Sequence, residues 1–241
     1  MSKALLKHII NSKEKGQKLL AILLDPDKLS ISNIPNTATK INSNKVDFIF
    51  VGGSTVNNGV TDVFVKELRS HTSIPIVLFP GDYTHLTNKA DAVLFLSLLS
   101  GRNPEYLIEQ QIKSVEFLKN SDLEIIPTAY ILIDGGVETA VQKVSNTTPI
   151  PQNNIDEIVN TAIASEYIGK QLIYLEAGSG ATVPLGANII KGVSTNVRVP
   201  IIVGGGIRTK TQLENAFNSG ADLIVIGTAF EENNNDLKSI L

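Results

Sequence analysis

Two carboxylates and three glycine-rich turns are the residues of this chain best suited to chemistry. The run Tyr174-Leu175-Glu176-Ala177-Gly178-Ser179-Gly180 begins apolar and ends in an acid, a small residue and a Gly-Ser-Gly triplet. Glycines directly after a strand let backbone N–H groups turn toward an anion, and Ser179 adds a hydroxyl donor. Gly and Ser also dominate ordinary turns, so taken alone the run reads equally as a phosphate cradle or as a plain turn. Further along, Gly204-Gly205-Gly206 follows an apolar run, and Gly227-Thr228 follows another. The second carboxylate, Asp25, stands at the end of the first apolar run, in Leu24-Asp25-Pro26-Asp27-Lys28. A hard carboxylate facing a phosphate-rich pocket suits Mg²⁺ held by one or two protein groups plus substrate oxygens. Ser54, in Gly52-Gly53-Ser54-Thr55, would be a second, weaker ligand. Asp25 reads alternatively as a turn cap or as the partner of Lys28, because Asp before Pro is common in turns.

The elements that must position these residues follow from an apolar pattern. Short apolar runs recur at residues 19–24, 46–51, 74–79, 92–98, 125–133, 172–175, 200–203 and 223–226, each ending in Asp, Gly, Pro or Ser. Continuous β-branched runs suit strands buried on both faces, as in a parallel sheet. Between them lie segments with helical period. Ile155, Ile158, Val159, Ala162, Ile163 and Tyr167 mark one buried face. Asn103-Pro104-Glu105 heads a helix carrying Leu107, Ile108, Ile112 and Val115, and Thr209 with Gln212 forms a capping box. Eight strands alternating with helices in 241 residues match a (β/α)8 TIM barrel as one domain spanning residues 1–241. The link from Pro80 to Asp91 is too short and polar for a crossover helix, so the third helix is expected to be degenerate. The link from Asp134 to Asn154 is long and rich in Gly and Pro, as lids and binding loops are.

In such barrels the active site lies at the C-terminal ends of the strands, with phosphate on the loops after strands seven and eight. That places Gly205, Gly206, Gly227 and Thr228 beside Gly178, Ser179 and Gly180, so three successive loops offer phosphate donors. Other residues are open. Arg208 could assist the phosphate or close its own helix turn; Lys28 could neutralise a diphosphate or be solvated; Asp134 could line the pocket or serve its turn; Asp27 could simply cap. His8, His71 and His85 are scattered without metal-ligand spacing and are expected at the surface.

Composition narrows the function classes. A net charge of -3 argues against a nucleic-acid binder. The absence of cysteine excludes a thiolate zinc site and a cysteine nucleophile, and fits a reducing cytoplasm. No apolar run approaches the roughly 18 residues of a membrane span. A soluble, cytoplasmic protein is expected.

The chain resembles the geranylgeranylglyceryl phosphate synthase family, which includes the bacterial heptaprenylglyceryl phosphate synthases. The segments that carry the resemblance are the Leu24 to Lys28, Val51 to Ser54 and Tyr174 to Ala181 runs, Ser100-Gly101-Arg102-Asn103-Pro104-Glu105-Tyr106-Leu107, the Val144 to Pro151 run, and Ile202 to Arg208. The pattern is closest to the branch of archaea and Bacteroidetes-type bacteria, apart from Glu109 where that branch has Gly. The resemblance implies a TIM barrel that joins sn-glycerol 1-phosphate to geranylgeranyl diphosphate. It implies Asp25 and Ser54 as Mg²⁺ ligands, and Tyr174, Leu175, Glu176, Ala177, Gly178, Ser179, Gly180, Gly205, Gly206, Gly227 and Thr228 around the glycerol phosphate. It also implies a homo-oligomer, dimer or hexamer. Glu176, one residue before the donor loop, is placed to hydrogen-bond the glycerol hydroxyls and take a proton, and Asp25 is the other expected catalytic group. A phosphosugar isomerase or aldolase barrel is the competing reading, but no strand here ends in the lysine a Schiff base would need.

Overall fold

The structure, a computed structural model, describes residues 4–53, 56–57, 59–232, 237 and 240. Eight parallel strands close into a barrel in chain order: β1 (Leu19–Leu24), β2 (Phe48–Val51), β3 (Ile76–Leu78), β4 (Ala92–Leu98), β5 (Glu124–Leu132), β6 (Leu172–Glu176), β7 (Ile201–Gly204) and β8 (Leu223–Ile226). Closure pairs β1 with β8, Ala21 opposite Val225 and Ile22 opposite Ile226. Side chains alternate between two cores, because successive residues of a strand point to opposite faces. An inner core holds Ala21, Phe48, Phe50, Leu94, Tyr130, Tyr174, Ile202 and Val225. An outer core packs the intervening residues, such as Ile22, Ile49, Leu175 and Ile224, against the helices.

The helices are α1 (Ala4–Glu14), α2 (Ile34–Asn42), α3 (Val60–Arg69), α4 (Gln110–Leu118), α5 (Ala140–Ser145), α6 (Ile155–Tyr167), α7 (Ala187–Ser194), α8 (Lys210–Asn218) and α9 (Thr228–Glu232). Helix α1 plugs the N-terminal end of the barrel, with Leu6 and Ile9 joining the inner core. The Glu124 carboxylate accepts from the N–H groups of Leu5 and Leu6 at 2.8 and 2.9 Å, supplying acceptors that the first turn lacks. Both ends of α8 form as expected: Thr209 and Gln212 close a reciprocal capping box, and Gly220 follows at φ +115°.

Between β3 and β4 there is only a single 3-10 turn, Tyr83–His85, capped by the Asp82 carboxylate accepting from Thr84 N–H at 2.8 Å. The outer ring is therefore open at its third position. Two apolar stripes are corrected by the fold. On α4 and the helical turn Glu105–Glu109 that leads into it, Ile108, Ile112 and Val115 are all more than half exposed, and the face of α4 turned inward carries Gln111, Ser114 and Leu118 instead. That inward face looks into the gap in the ring, where no neighbouring helix supplies a dry surface. Tyr167 is 84% exposed, because α6 ends there and its last turn projects past the sheet. Among the described residues, no helix is long and apolar enough to cross a membrane.

Candidate active site

The C-terminal ends of the strands surround a cavity of about 290 Å³. Its lining divides into a polar mouth and an apolar limb.

Glu176 ends β6 and stands on the inward face, two residues from Tyr174. It is 6% exposed, and its Oε1 accepts from Gly178 N–H at 2.6 Å. Burial raises its pKa to about 7; the Gly178 N–H and the neighbouring Tyr174 hydroxyl only partly offset that. The Tyr174 hydroxyl points at the same carboxylate without closing a regular hydrogen bond. Its ring stacks on Phe79 at 5.2 Å and meets Tyr130 edge-on at 5.5 Å, forming an aromatic floor under the carboxylate. Burial holds both tyrosine hydroxyls well above the usual phenol range, so they are donors throughout neutral pH.

Gly178 and Gly205 are required by space as much as by conformation. Gly205 has φ +84°, and a Cβ there would lie 2.5 Å from Glu176 Oε1 and 2.7 Å from Gly178 N. Gly178 has φ +100°, and a Cβ there would strike the Thr139 methyl at 2.1 Å. Helix α5, whose N-cap is Thr139, thus packs directly on the β6 loop; the long link after β5 folds into a wall of the site, with Val141 and Val144 on the cavity. Ser179 and Thr228 hydroxyls approach to 3.2 Å, joining the β6 and β8 loops.

Of the eleven residues expected around the glycerol phosphate, eight line the cavity: Tyr174, Glu176, Gly178, Ser179, Gly205, Gly206, Gly227 and Thr228. Leu175 and Ala177 do not. The period of two that aims Tyr174 and Glu176 inward sends these two into the outer core, and Ala177 N–H is committed to Gly204 O. Gly180 is exposed, off the lining, at the far side of its turn.

Across the mouth, Asp25 lies beside Gly53, where a Cβ would come within 2.9 Å of its carboxylate. Asp25 Oδ1 accepts from Asp27 N–H at 3.0 Å, and Oδ2 is 3.7 Å from Lys28 Nζ. Asp25 thus caps its own turn and pairs with Lys28, and the carboxylate still lines the cavity. Lys28 also reaches Glu231 at 3.5 Å. Burial raises the Glu231 pKa, with Lys28 opposing. Glu231 escapes a reading of the chain in order; its only signal is an acid in the turn after Gly227-Thr228, and barrel closure between β1 and β8 brings it to Lys28. Ser54 lies outside the described residues. Among the described residues no three His, Cys, Asp or Glu side chains gather to hold a metal by themselves. A cation at Asp25 would need oxygens from a bound substrate, which is how Mg²⁺ is commonly held.

Asp134 serves its own turn, accepting from Gly136 N–H at 2.9 Å. Arg208 lines the cavity but spends its guanidinium on Ala181 O (2.6 Å) and Glu232 (3.5 Å). His85, expected at the surface, is 5% exposed, with Nδ1 unpartnered and its pKa lowered by burial. His85 hydrogen-bonds the Val56 backbone, a partner that a polar residue in a short link gives no hint of.

The apolar limb leaves the mouth over Phe79 and Leu86 and passes the outward-facing Phe95 of β4. It ends against Ser114 and Leu118 of α4. It occupies the space where a third crossover helix would pack.

The chain matches the PcrB family over residues 11–241. It is 52% identical to the geranylgeranylglyceryl phosphate synthase of Zunongwangia profunda, over 94% of this chain and 97% of that one. It is 43% identical to the protein of the same name from Thermococcus gammatolerans, over 92% and 88%. The crystal structure of (S)-3-O-geranylgeranylglyceryl phosphate synthase from Thermoplasma acidophilum, in complex with its substrate sn-glycerol-1-phosphate, superposes with a TM-score of 0.92 at 31% identity, covering all of this chain and 96% of that one. A closed eight-stranded barrel, a donor-lined mouth and near full-length similarity agree, and this chain belongs to the PcrB family.

Proposed function

We propose that this protein is a prenyltransferase that joins the 3-hydroxyl of sn-glycerol 1-phosphate to C1 of geranylgeranyl diphosphate, releasing diphosphate. The observation that carries the reading is one cavity whose lining joins Glu176 and a glycine-rich rim to apolar side chains of β3, β4 and α4. The rim of Gly178, Ser179, Gly205, Gly206, Gly227 and Thr228 suits a phosphate, and the limb through the missing third helix suits an isoprenoid tail. The isomerase or aldolase reading accounts for the rim and leaves the apolar limb without a purpose.

In the reaction the glycerol 3-oxygen forms a bond to the allylic C1, the C1–O bond to diphosphate breaks, and the hydroxyl proton goes to the Glu176 carboxylate. A base with a pKa near 7 at neutral pH suits that transfer. Holding both substrates across one mouth converts a bimolecular encounter into a positioned one, an effect worth several kcal/mol. Lys28, paired with Asp25 and Glu231 at the mouth, is placed to meet the departing diphosphate. Mg²⁺ would be held by Asp25 and, as the family resemblance implies, Ser54. Bound there it would neutralise charge on the diphosphate.

The exposed stripe of Ile108, just before α4, and Ile112 and Val115 on it supports self-association as a homo-oligomer. Sedimentation of the purified protein tests that. The reaction itself is tested with Mg²⁺, sn-glycerol 1-phosphate and prenyl diphosphates of increasing length, assayed for ether product. An ether formed with sn-glycerol 1-phosphate in preference to its 3-phosphate enantiomer is expected. No ether with any chain length would overturn the reading.

A further inference from the structure

We infer that Arg208 is a positioning residue that holds the three donor loops in register around the phosphate; the inference rests on the substrate reading above. A cradle made of backbone N–H groups from three separate loops works only if the loops keep fixed distances from one another. These loops are poor at that by themselves. Gly178, Gly180, Gly205 and Gly206 all have positive φ, in segments with few side chains to pack.

Arg208 follows the β7 loop and touches both of the others. Its Nη1 donates to Ala181 O at 2.6 Å, which fixes the turn closed by Ala181 N–H on Gly178 O. Its Nε lies 3.5 Å from Glu232, at the end of the short helix begun by Gly227 and Thr228. Its own backbone is pinned at the head of α8, where Arg208 N–H donates to Gln212 Oε1 at 2.8 Å. A planar guanidinium can satisfy two such partners at once because its donors diverge in a fixed fork, which a lysine cannot reproduce. The side chain is about one-third exposed, so the Glu232 pair alone is weak; the carbonyl bond does most of the holding.

The test compares wild type with Arg208→Lys, Arg208→Met and Glu232→Gln by calorimetric binding of sn-glycerol 1-phosphate, steady-state kinetics and hydrogen exchange of residues 178–182 and 227–232. Arg208→Met is expected to weaken sn-glycerol 1-phosphate about tenfold. Its KM for the prenyl diphosphate should stay within about twofold, since the apolar lining on β3, β4 and α4 touches none of these loops. Both loop segments should exchange faster, Arg208→Lys should recover part of the affinity, and Glu232→Gln should cost about twofold. Wild-type affinity in Arg208→Met, or a loss of affinity with unchanged exchange in both segments, overturns the staple. Wild-type protein that binds no sn-glycerol 1-phosphate overturns the substrate reading instead, and faster or unchanged exchange in the variants then decides the staple by itself.

Discussion

The two sides of the barrel mouth are built on opposite plans. On the side of β6, β7 and β8, the site is made largely of backbone: Gly178, Gly205 and Gly206 with positive φ, Gly227 beside them, and the buried Glu176 carboxylate packed against Gly178 and Gly205. On the side of β3, β4 and α4, the site is made of side chains around a gap where a helix is missing. The difference has a physical consequence. A backbone cradle can bind one anion shape and tolerates little substitution at Gly178, Gly205 and Gly206, where a Cβ meets a neighbouring loop. A side-chain groove outside the barrel can be lengthened or shortened without disturbing the sheet. The first side should therefore set which head group is bound, and the second which tail.

The largest effect that would break this contrast comes from Gly205→Ala. The new methyl would collide with Glu176 and with Gly178 N, at a φ of +84°. The combined strain of a few kcal/mol should abolish measurable turnover, with a drop of about 10³-fold or more in kcat/KM for sn-glycerol 1-phosphate. Near-normal kinetics in this variant would mean that the cradle is looser than its geometry.

Next is Glu176→Gln, expected to lower kcat by about 10² to 10⁴. In the wild type, kcat/KM should rise with pH and level off above about 7 as the carboxylate ionises. A pH profile without that limb would remove Glu176 from the proton transfer. The same group tunes stability. Its folded pKa is raised from 4.5 to about 7, so its stabilising contribution is complete below the unfolded pKa and is lost as pH rises through about 7. The loss amounts to about 3 kcal/mol. Glu176→Gln should therefore unfold at a higher temperature than wild type at pH 8 and show a smaller difference at pH 4.5, read by thermal denaturation.

A smaller effect, on the opposite side, sharpens the comparison. Ser114→Phe fills the far end of the apolar limb and should shift product toward shorter prenyl chains. KM for sn-glycerol 1-phosphate should stay within about twofold, because the two limbs share no lining at that depth. Competition among prenyl diphosphates of several lengths gives the readout. Equal loss with every chain length would place the tail elsewhere.

The smallest catalytic effect is expected from Ile112→Glu, which puts a charge on the exposed stripe of α4. Turnover per chain should change little, and the sedimenting species should become smaller. An unchanged particle size would show that another surface holds copies together.

Much of this was legible in the chain itself. The eight apolar runs became the eight strands, within two residues at each boundary, since a strand buried on both faces has to be apolar throughout. The turn that replaces the third helix was readable because a link of that length and polarity has no way to form one. The glycine-rich turns at the ends of β6 and β7 were readable as turns, because glycine takes the positive φ that Gly178, Gly205 and Gly206 adopt. The faces of α4 were not: a period of 3.6 finds an apolar stripe, yet its orientation depends on what lies opposite, and here a gap lies opposite. His85 and Tyr167 were misplaced for the same reason, since burial belongs to neighbours that are distant in sequence.

Within the opening run, sequence alone determined that a carboxylate, a hydroxyl and flexible glycines follow a buried strand. Only the tertiary structure decided that Tyr174 and Glu176 face the cavity while Leu175 and Ala177 face the helices, because which phase of an all-apolar strand points inward is set by barrel closure and register. Closure also brought Glu231 to Lys28 and Asp25. Residues at the two ends of the chain meet there because β1 pairs with β8, a contact that no local pattern encodes.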